Sequence, residues 1–179
     1  MAKKITVLTG SPHLNGTSSS LADGFINGVT DKSNLYRFDA GLNAAQVHFL
    51  KLDENESTIH DDDIISKEVM PKIIDSDVLV LCTSLYYYGI NAELKAVIDR
   101  FYEYNHELKD GKDVYVLISG YDAGDKNSSA YHSLTEYFDQ LCKYMRWNLR
   151  GEVLASNSWN SSNLKKHIEE ATNLGKNIK

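Results

Sequence analysis

The chain has 179 residues, enough for one domain with a substantial core, and its 42% apolar and 25% charged residues are ordinary for a globular protein. A formal net charge of −6 with no run of basic residues argues against a nucleic-acid or anionic-membrane surface, and no stretch approaches the ~20 apolar residues that span a bilayer. The two cysteines, Cys82 and Cys142, make no disulfide framework, and the first apolar run is too short for a signal peptide, so a cytoplasmic protein is expected.

In chain order, Ile5 to Leu8 is a short β-branched run closed by Gly10, the pattern of a buried strand. The polar loop GSPHLNGTSSS follows, dense in hydroxyls and bare backbone. A helix is predicted after it, with Leu21, Phe25 and Val29 recurring every four residues on one face. NLYRFDA reads as a second strand. Residues 41–63 show little periodicity and end in Asp61, Asp62 and Asp63, which suit a helix start better than a metal site. That helix is expected to run toward Ile74.

DVLVLCT is continuously apolar from Val78 to Cys82, the signature of a strand covered on both faces. A second loop, SLYYYGIN, precedes a helix with Leu94, Val97, Ile98, Phe101 and Tyr102 on its buried face and Asn91 as a candidate N-cap. On that helix Lys95, Asp99 and Arg100 are expected to form an exposed ion pair. VYVLISG is a fourth strand. The next helix carries Tyr131, Leu134, Phe138, Leu141 and Met145 on one face, with Cys142 beside them. A weaker strand around Val153 to Ala155 and a last helix with Leu164, Ile168 and Ala171 complete the chain. Cys82 and Cys142 are expected to be buried and inert.

Five repetitions of strand then helix, with fully apolar strands, call for a parallel sheet with helices on both faces. The predicted fold class is α/β, a flavodoxin-like three-layer sandwich with strand order 2-1-3-4-5, formed as a single domain over 1–179. Ligands in such sheets bind beyond the carboxyl ends of the strands where the winding reverses, between the first and third strands. The loops meeting there are GSPHLNGTSSS and SLYYYGIN. The first is an anion cradle ahead of a helix N-terminus; the second offers aromatic rings. It is no Walker A loop, since Gly16 comes one residue late and Thr17 replaces the lysine, and G-x-G-x-x-G is absent. Phosphate would be held by backbone amides and by hydroxyls.

These two stretches resemble segments of one family. GSPHLNGTSSSLADGF is similar to the G-S-P-R-x-N-G-N-[ST]-S opening of NAD(P)H-dependent FMN reductases and iron–sulfur flavoproteins, a branch of the flavodoxin-like superfamily. SLYYYGINAELKAVIDRF resembles its P-x-Y-W-Y-G-[MI]-x-x-x-L-K-A-x-I-D-R-F segment, and HDDD its acidic turn before the third helix. The resemblance implies non-covalent FMN, with Ser11, His13, Asn15, Thr17, Ser18 and Ser19 around its phosphate. It also implies Leu85, Tyr86, Tyr87, Tyr88 and Gly89 along the isoalloxazine and Gly120 as a third wall. The chemistry is the flavin's, and no catalytic side chain or metal is called for.

Three departures matter. His13 replaces an arginine, making a permanent charge conditional, so FMN affinity is expected to fall as pH rises through about 6 to 8 if His13 touches the phosphate. Ser84 replaces a proline, which predicts a more mobile ring-binding loop. The cysteines of an iron–sulfur centre are missing between residues 41 and 60. Three functions stay open: an FMN-dependent NAD(P)H oxidoreductase reducing a small acceptor such as free flavin or a quinone, a flavodoxin-like electron shuttle without a nicotinamide site, and a binding module that has lost FMN. The mild charge favours the enzyme over the shuttle. Either NADH or NADPH is expected as co-substrate, the resemblance implies a homodimer, and the loop YDAGDKNSS is a candidate for shaping access.

Overall fold

The structure, a computed structural model, describes residues 2–122 and 124–178. The strands β1 (Ile5–Thr9), β2 (Leu35–Asp39), β3 (Val78–Ser84), β4 (Asp113–Ser119) and β5 (Asn148–Ala155) form one sheet in the order β2-β1-β3-β4-β5. Every pairing is parallel. The helices are α1 (Thr17–Gly28), α2 (Met70–Asp75, entered through a π turn at Ile65–Val69), α3 (Ala92–Asp99), α4 (Asn105–Leu108), α5 (Ser129–Met145) and α6 (Ser161–Lys176). The predicted flavodoxin-like strand order is the observed one.

Strand side chains alternate between two cores, as a period of two dictates. Leu8, Leu79, Leu81, Val114, Val116 and Ile118 pack with residues of α2, α3 and α5. Their neighbours Val7, Val80, Cys82, Leu117 and Val153 face the opposite way, against α1 and α6. Burial on both faces explains the unbroken apolar run in β3. The two helices of the second layer lie unusually close: a Cβ on Gly28 would sit 2.0 Å from the Thr172 carbonyl oxygen, so only glycine permits that approach.

Cys82 and Cys142 are buried, and loss of hydration raises each thiol to about 12, so neither is a nucleophile at neutral pH. The Cys82 thiol donates to the Ser18 carbonyl at 3.0 Å, tying β3 to the start of α1.

Three expectations need correction. Tyr102 is exposed, because after Asp99 the helix tightens to a 3₁₀ segment, Arg100–Tyr104, which turns each residue roughly 20° further than an α-helix and swings Tyr102 off the buried stripe. Lys95 and Asp99 do form a surface pair, but Arg100 is 0% exposed. Its guanidinium meets Asp63 at 3.0 Å, donates to Ser66 Oγ at 2.6 Å and pairs with Glu103. Asp63 thereby does double duty: Oδ1 accepts the Ser66 amide at 3.0 Å as a helix-start carboxylate should, and Oδ2 takes the arginine. Finally, Asn91 precedes α3 without capping it through its side chain, which is engaged elsewhere.

Candidate functional site

The carboxyl ends of β1, β3, β4 and β5 open onto a cleft of about 740 Å³. That volume lies within the ~300–1,000 Å³ of small-molecule and cofactor sites. Among the described residues its lining is Ser11–Thr17 from the loop after β1 and the first residue of α1, Ser84–Tyr86 from the end of β3 and beyond, Ser119–Tyr121 from the end of β4 and beyond, and Ser158 with Trp159 after β5. No Asp, Glu, Lys or Arg lines it among those residues, so its polarity comes from hydroxyls and peptide dipoles.

The first loop folds around Ser11. Its Oγ accepts the His13 amide and donates to the His13 carbonyl, each at 3.2 Å, and Gly16 N–H closes the turn on the same carbonyl at 3.1 Å. The amides of Thr17, Ser18 and Ser19 find no acceptor among the described residues, and Gly16 supplies no side-chain cap. Ser19 Oγ is likewise buried without a partner. Three free amides at a helix N-terminus beside an orphaned hydroxyl make a donor set that lacks its acceptor.

A chain of hydroxyls forms the floor. Thr17 Oγ1 donates to Ser119 Oγ at 3.0 Å, Ser119 Oγ to Ser84 Oγ at 3.3 Å, and Ser84 Oγ to Ser18 Oγ at 3.2 Å. Ser84 N–H also donates to Asn91 Oδ1 at 2.8 Å, and Thr83 Oγ1 donates to the same oxygen at 2.7 Å. Asn91 therefore anchors the end of β3 instead of capping α3. Where a looser loop was expected at Ser84, serine supplies both an N–H and a hydroxyl that proline lacks, and both have partners.

Beyond it, Leu85 N–H donates to the Ser119 carbonyl at 2.7 Å. Tyr86 and Gly89 exchange amide bonds of 3.0 and 2.9 Å, enclosing Tyr87 (φ 47°) and Tyr88 (φ 64°) in a two-residue turn with both central residues left-handed. This turn aims two of the three tyrosines away from the cleft. Tyr87 is 99% exposed.

Of the residues singled out in the sequence, Ser11, His13, Asn15, Thr17, Leu85, Tyr86 and Gly120 line the cleft together. Ser18 and Ser19 are buried behind it, Ser18 at the end of the hydroxyl chain. Tyr87, Tyr88 and Gly89 lie outside it. At Gly120 an added Cβ would come 2.5 Å from the Tyr131 hydroxyl, which explains the glycine by packing from below. Burial raises that phenol to about 12, and it donates to the Asp122 carbonyl at 3.1 Å. Sequence reasoning missed Ser119, Ser158 and Trp159. The one available signal was positional, since Ser119 ends β4 and Ser158 and Trp159 come shortly after the end of β5. Tyr121 of the YDAGDKNSS loop does reach the cleft, and Ala123 of that loop lies outside the described residues.

Residues 3–174 match the model of a protein family described as having a flavodoxin-like fold. The chain belongs to that family. Among solved structures, this flavodoxin-like protein is similar to an NAD(P)H:quinone oxidoreductase from Methanothermobacter marburgensis, with TM-score 0.73 and 15% identity over 99% of this chain and 98% of the other. It is also similar to an azoreductase from Bacillus anthracis str. Sterne, with TM-score 0.73 and 11% identity over 98% and 99%. A third is an FMN-dependent NADH-azoreductase from Bacillus anthracis str. Ames Ancestor in complex with FMN, with TM-score 0.69 and 12% identity over 96% and 97%. At these identities the likeness is one of fold. No curated protein matches the sequence. Among the described residues no helix of this flavodoxin-like protein is long and apolar enough to cross a membrane.

Proposed function

We propose that the protein is an oxidoreductase that binds FMN non-covalently in this cleft and uses NADH or NADPH to reduce a small acceptor, of the kind represented by a flavin, a quinone or an azo compound. The observation that carries the reading is the donor set at the start of α1: the unpaired amides of Thr17, Ser18 and Ser19 stand at a helix N-terminus whose first residue, Thr17, lines a cleft large enough for a cofactor, with the partnerless Ser19 hydroxyl buried behind it. A phosphate there completes the hydrogen bonding that the folded chain leaves unmet. The names of the structural neighbours, a quinone oxidoreductase and an FMN-dependent azoreductase, support the same class.

FMN, when bound, supplies hydride acceptance from the nicotinamide and electron delivery to the acceptor. The chain's own residues bind and orient. The loop from Ser11 to Thr17 holds the phosphate with neutral donors, which suffice in a partly dry site at the positive end of a helix dipole. His13 is the one side chain of the lining that can add a full positive charge. Leu85 and Tyr86 flank the ring, in a segment whose backbone is fixed by the Ser119 carbonyl, and Gly120 keeps the opposite wall low. With no carboxylate or lysine in the lining among the described residues, no side chain is assigned as acid or base. The resemblance extends to a homodimer.

The purified protein is expected to be yellow, or to turn yellow with added FMN, and to bleach at a catalytic rate when NADH or NADPH is added without air. Bleaching only by dithionite or a partner reductase would assign an electron shuttle instead. A protein that stays colourless with excess FMN would refute the reading.

A further inference from the structure

The cleft has a hydroxyl floor and an apolar rim. Leu14, Tyr86, Tyr121 and Trp159 stand around its mouth, Tyr86 partly covered and the other three largely uncovered, with Tyr121 75% and Trp159 78% exposed. Scattered exposed hydrophobics need no explanation, but four large ones gathered on the lip of one cleft do.

Trp159 is held in a way that surface tryptophans need not be. On one side, Ser158 N–H and Ser158 Oγ both donate to the Gly120 carbonyl, each at 3.0 Å. On the other, Asn160 caps α6, its Oδ1 accepting the amides of Ser162 at 3.0 Å and Asn163 at 3.1 Å. Two further bonds, Gly120 N–H to the Ala155 carbonyl at 3.0 Å and Asn157 N–H to the Asp122 carbonyl at 2.8 Å, staple the loop after β5 to the loop after β4. Tyr121, on that second loop, meets Trp159 edge to face, with ring centroids 6.1 Å apart and planes at 89°. An edge-to-face partner fixes a ring yet leaves at least one face of the pair open.

We infer that Trp159, braced by Tyr121, is the stacking residue for a planar fused aromatic ring bound in the cleft. The inference rests on the flavin-binding reading and deepens it by assigning the ring end of the site to the loop after β5. An indole whose backbone is pinned on both sides and whose ring already meets Tyr121 has less freedom to lose when a second ring stacks on it, so more of the contact goes into affinity. Tyr121 acts through Trp159 and is a positioning residue.

The test compares two probes, FMN and riboflavin, which share the ring and differ in the phosphate. Isothermal titration of the full-length protein should show Trp159→Ala weakening both by the same factor, about tenfold or ~1.4 kcal/mol, a size ordinary for removal of one base-stacking aromatic. Trp159→Phe should restore most of the loss. Tyr121→Ala should weaken both probes by a smaller common factor. Thermal melting of each variant without ligand should match wild type, since neither ring is part of the core. Wild-type protein that binds both probes while Trp159→Ala binds them equally well overturns this inference alone, and so does a loss confined to FMN, which would place the indole at the phosphate end. Wild-type protein that binds neither probe overturns the flavin reading and this inference with it.

Discussion

Replacing Arg100 by methionine should cost the protein a large part of its stability. The guanidinium is fully buried between two carboxylates whose side chains are 0% (Asp63) and 5% (Glu103) exposed, and it also reaches Ser66 Oγ and, at 3.3 Å, the His48 carbonyl. Methionine matches the stem in bulk and packing but removes the charge, so two buried carboxylates are left facing each other without compensation. Breaking such a buried pair costs about 3–5 kcal/mol, because the stranded charge keeps its desolvation penalty. In a domain stabilised by roughly 5–15 kcal/mol that is about a fifth of the total or more. At ~2–4 °C per kcal/mol for a chain of this length, the melting temperature should fall by about 6–20 °C. Urea unfolding should show a lower midpoint with an unchanged slope. Removing the carboxylate charges as well, in Arg100→Met with Asp63→Asn and Glu103→Gln, should recover a substantial part of the loss. Arg100→Met within about 1 kcal/mol of wild type, or a triple variant worse than the single one, would refute the picture of a compensated buried charge cluster.

Other expectations follow from particular contacts. The turn Tyr86–Gly89 places tyrosines at both left-handed positions, each costing ~1–2 kcal/mol, so Tyr87→Asn combined with Tyr88→Gly should raise stability by about 1 kcal/mol after the entropic penalty of the new glycine. A lowered urea midpoint would show that the tyrosines contribute more than they strain. Hydrogen bonds from Lys51 and His48 hold the Asp61 carboxyl at about 2, below its ordinary 3.8. A depressed acid contributes stability that is complete above 3.8 and lost as pH falls through about 2. Carbon-detected titration should find that midpoint, and Lys51→Met should move it upward; a wild-type midpoint at or above 3.8 contradicts the pairing. Ser84→Pro, which restores the residue of the resembled motif, should destabilise by about 1–3 kcal/mol, since it removes one of the two donors to Asn91 Oδ1 and cuts the hydroxyl chain. Equal or higher stability of the proline variant would show that neither bond matters.

The fold was legible because its signals are periodic. Runs such as Val78–Cys82 and stripes such as Tyr131, Leu134 and Phe138 repeat at the spacing of the structure they form, so a window of a few residues contains the information. The lining of the candidate cleft was legible where it is continuous in sequence, in the hydroxyl loop after β1 and in Leu85–Tyr86, and illegible where the end of β4 and the loop after β5 contribute one or two residues. Ser119, Ser158 and Trp159 carry no spacing pattern. Only the sheet brings them beside Thr17. Arg100 was misplaced for a related reason: its nearest charged neighbour in sequence is Asp99, while Asp63, the carboxylate that helps hold it in the interior, lies on a segment without periodicity. The tyrosine run misled through its backbone. Two-residue turns of this kind are ordinarily marked by Asn-Gly, and a Tyr-Tyr pair gives no hint that the chain reverses there and turns two of its rings outward.

Ser84 shows how a single departure from a motif can reorganise a site. A proline there offers no N–H, which leaves an asparagine at position 91 free to cap the following helix. With serine present, the N–H takes Asn91 Oδ1, Thr83 Oγ1 donates to the same oxygen, and α3 begins without a side-chain cap. The forgone cap is worth ~1 kcal/mol. In return, Ser84 Oγ accepts from Ser119 and donates to Ser18, joining the ends of β3 and β4 to the first turn of α1. Hydroxyl protons can rotate, so the chain from Thr17 to Ser18 can run in either direction. With its donors as they stand, Thr17 gives its proton to Ser119. An anion seated at the helix start would draw that proton toward itself, and the chain could reverse so that Ser119 donates to Thr17 and Ser18 to Ser84. The floor of the cleft is thus a set of neutral donors that can turn to meet a negative charge, as the proposed phosphate site requires of a lining that holds no lysine or arginine among the described residues.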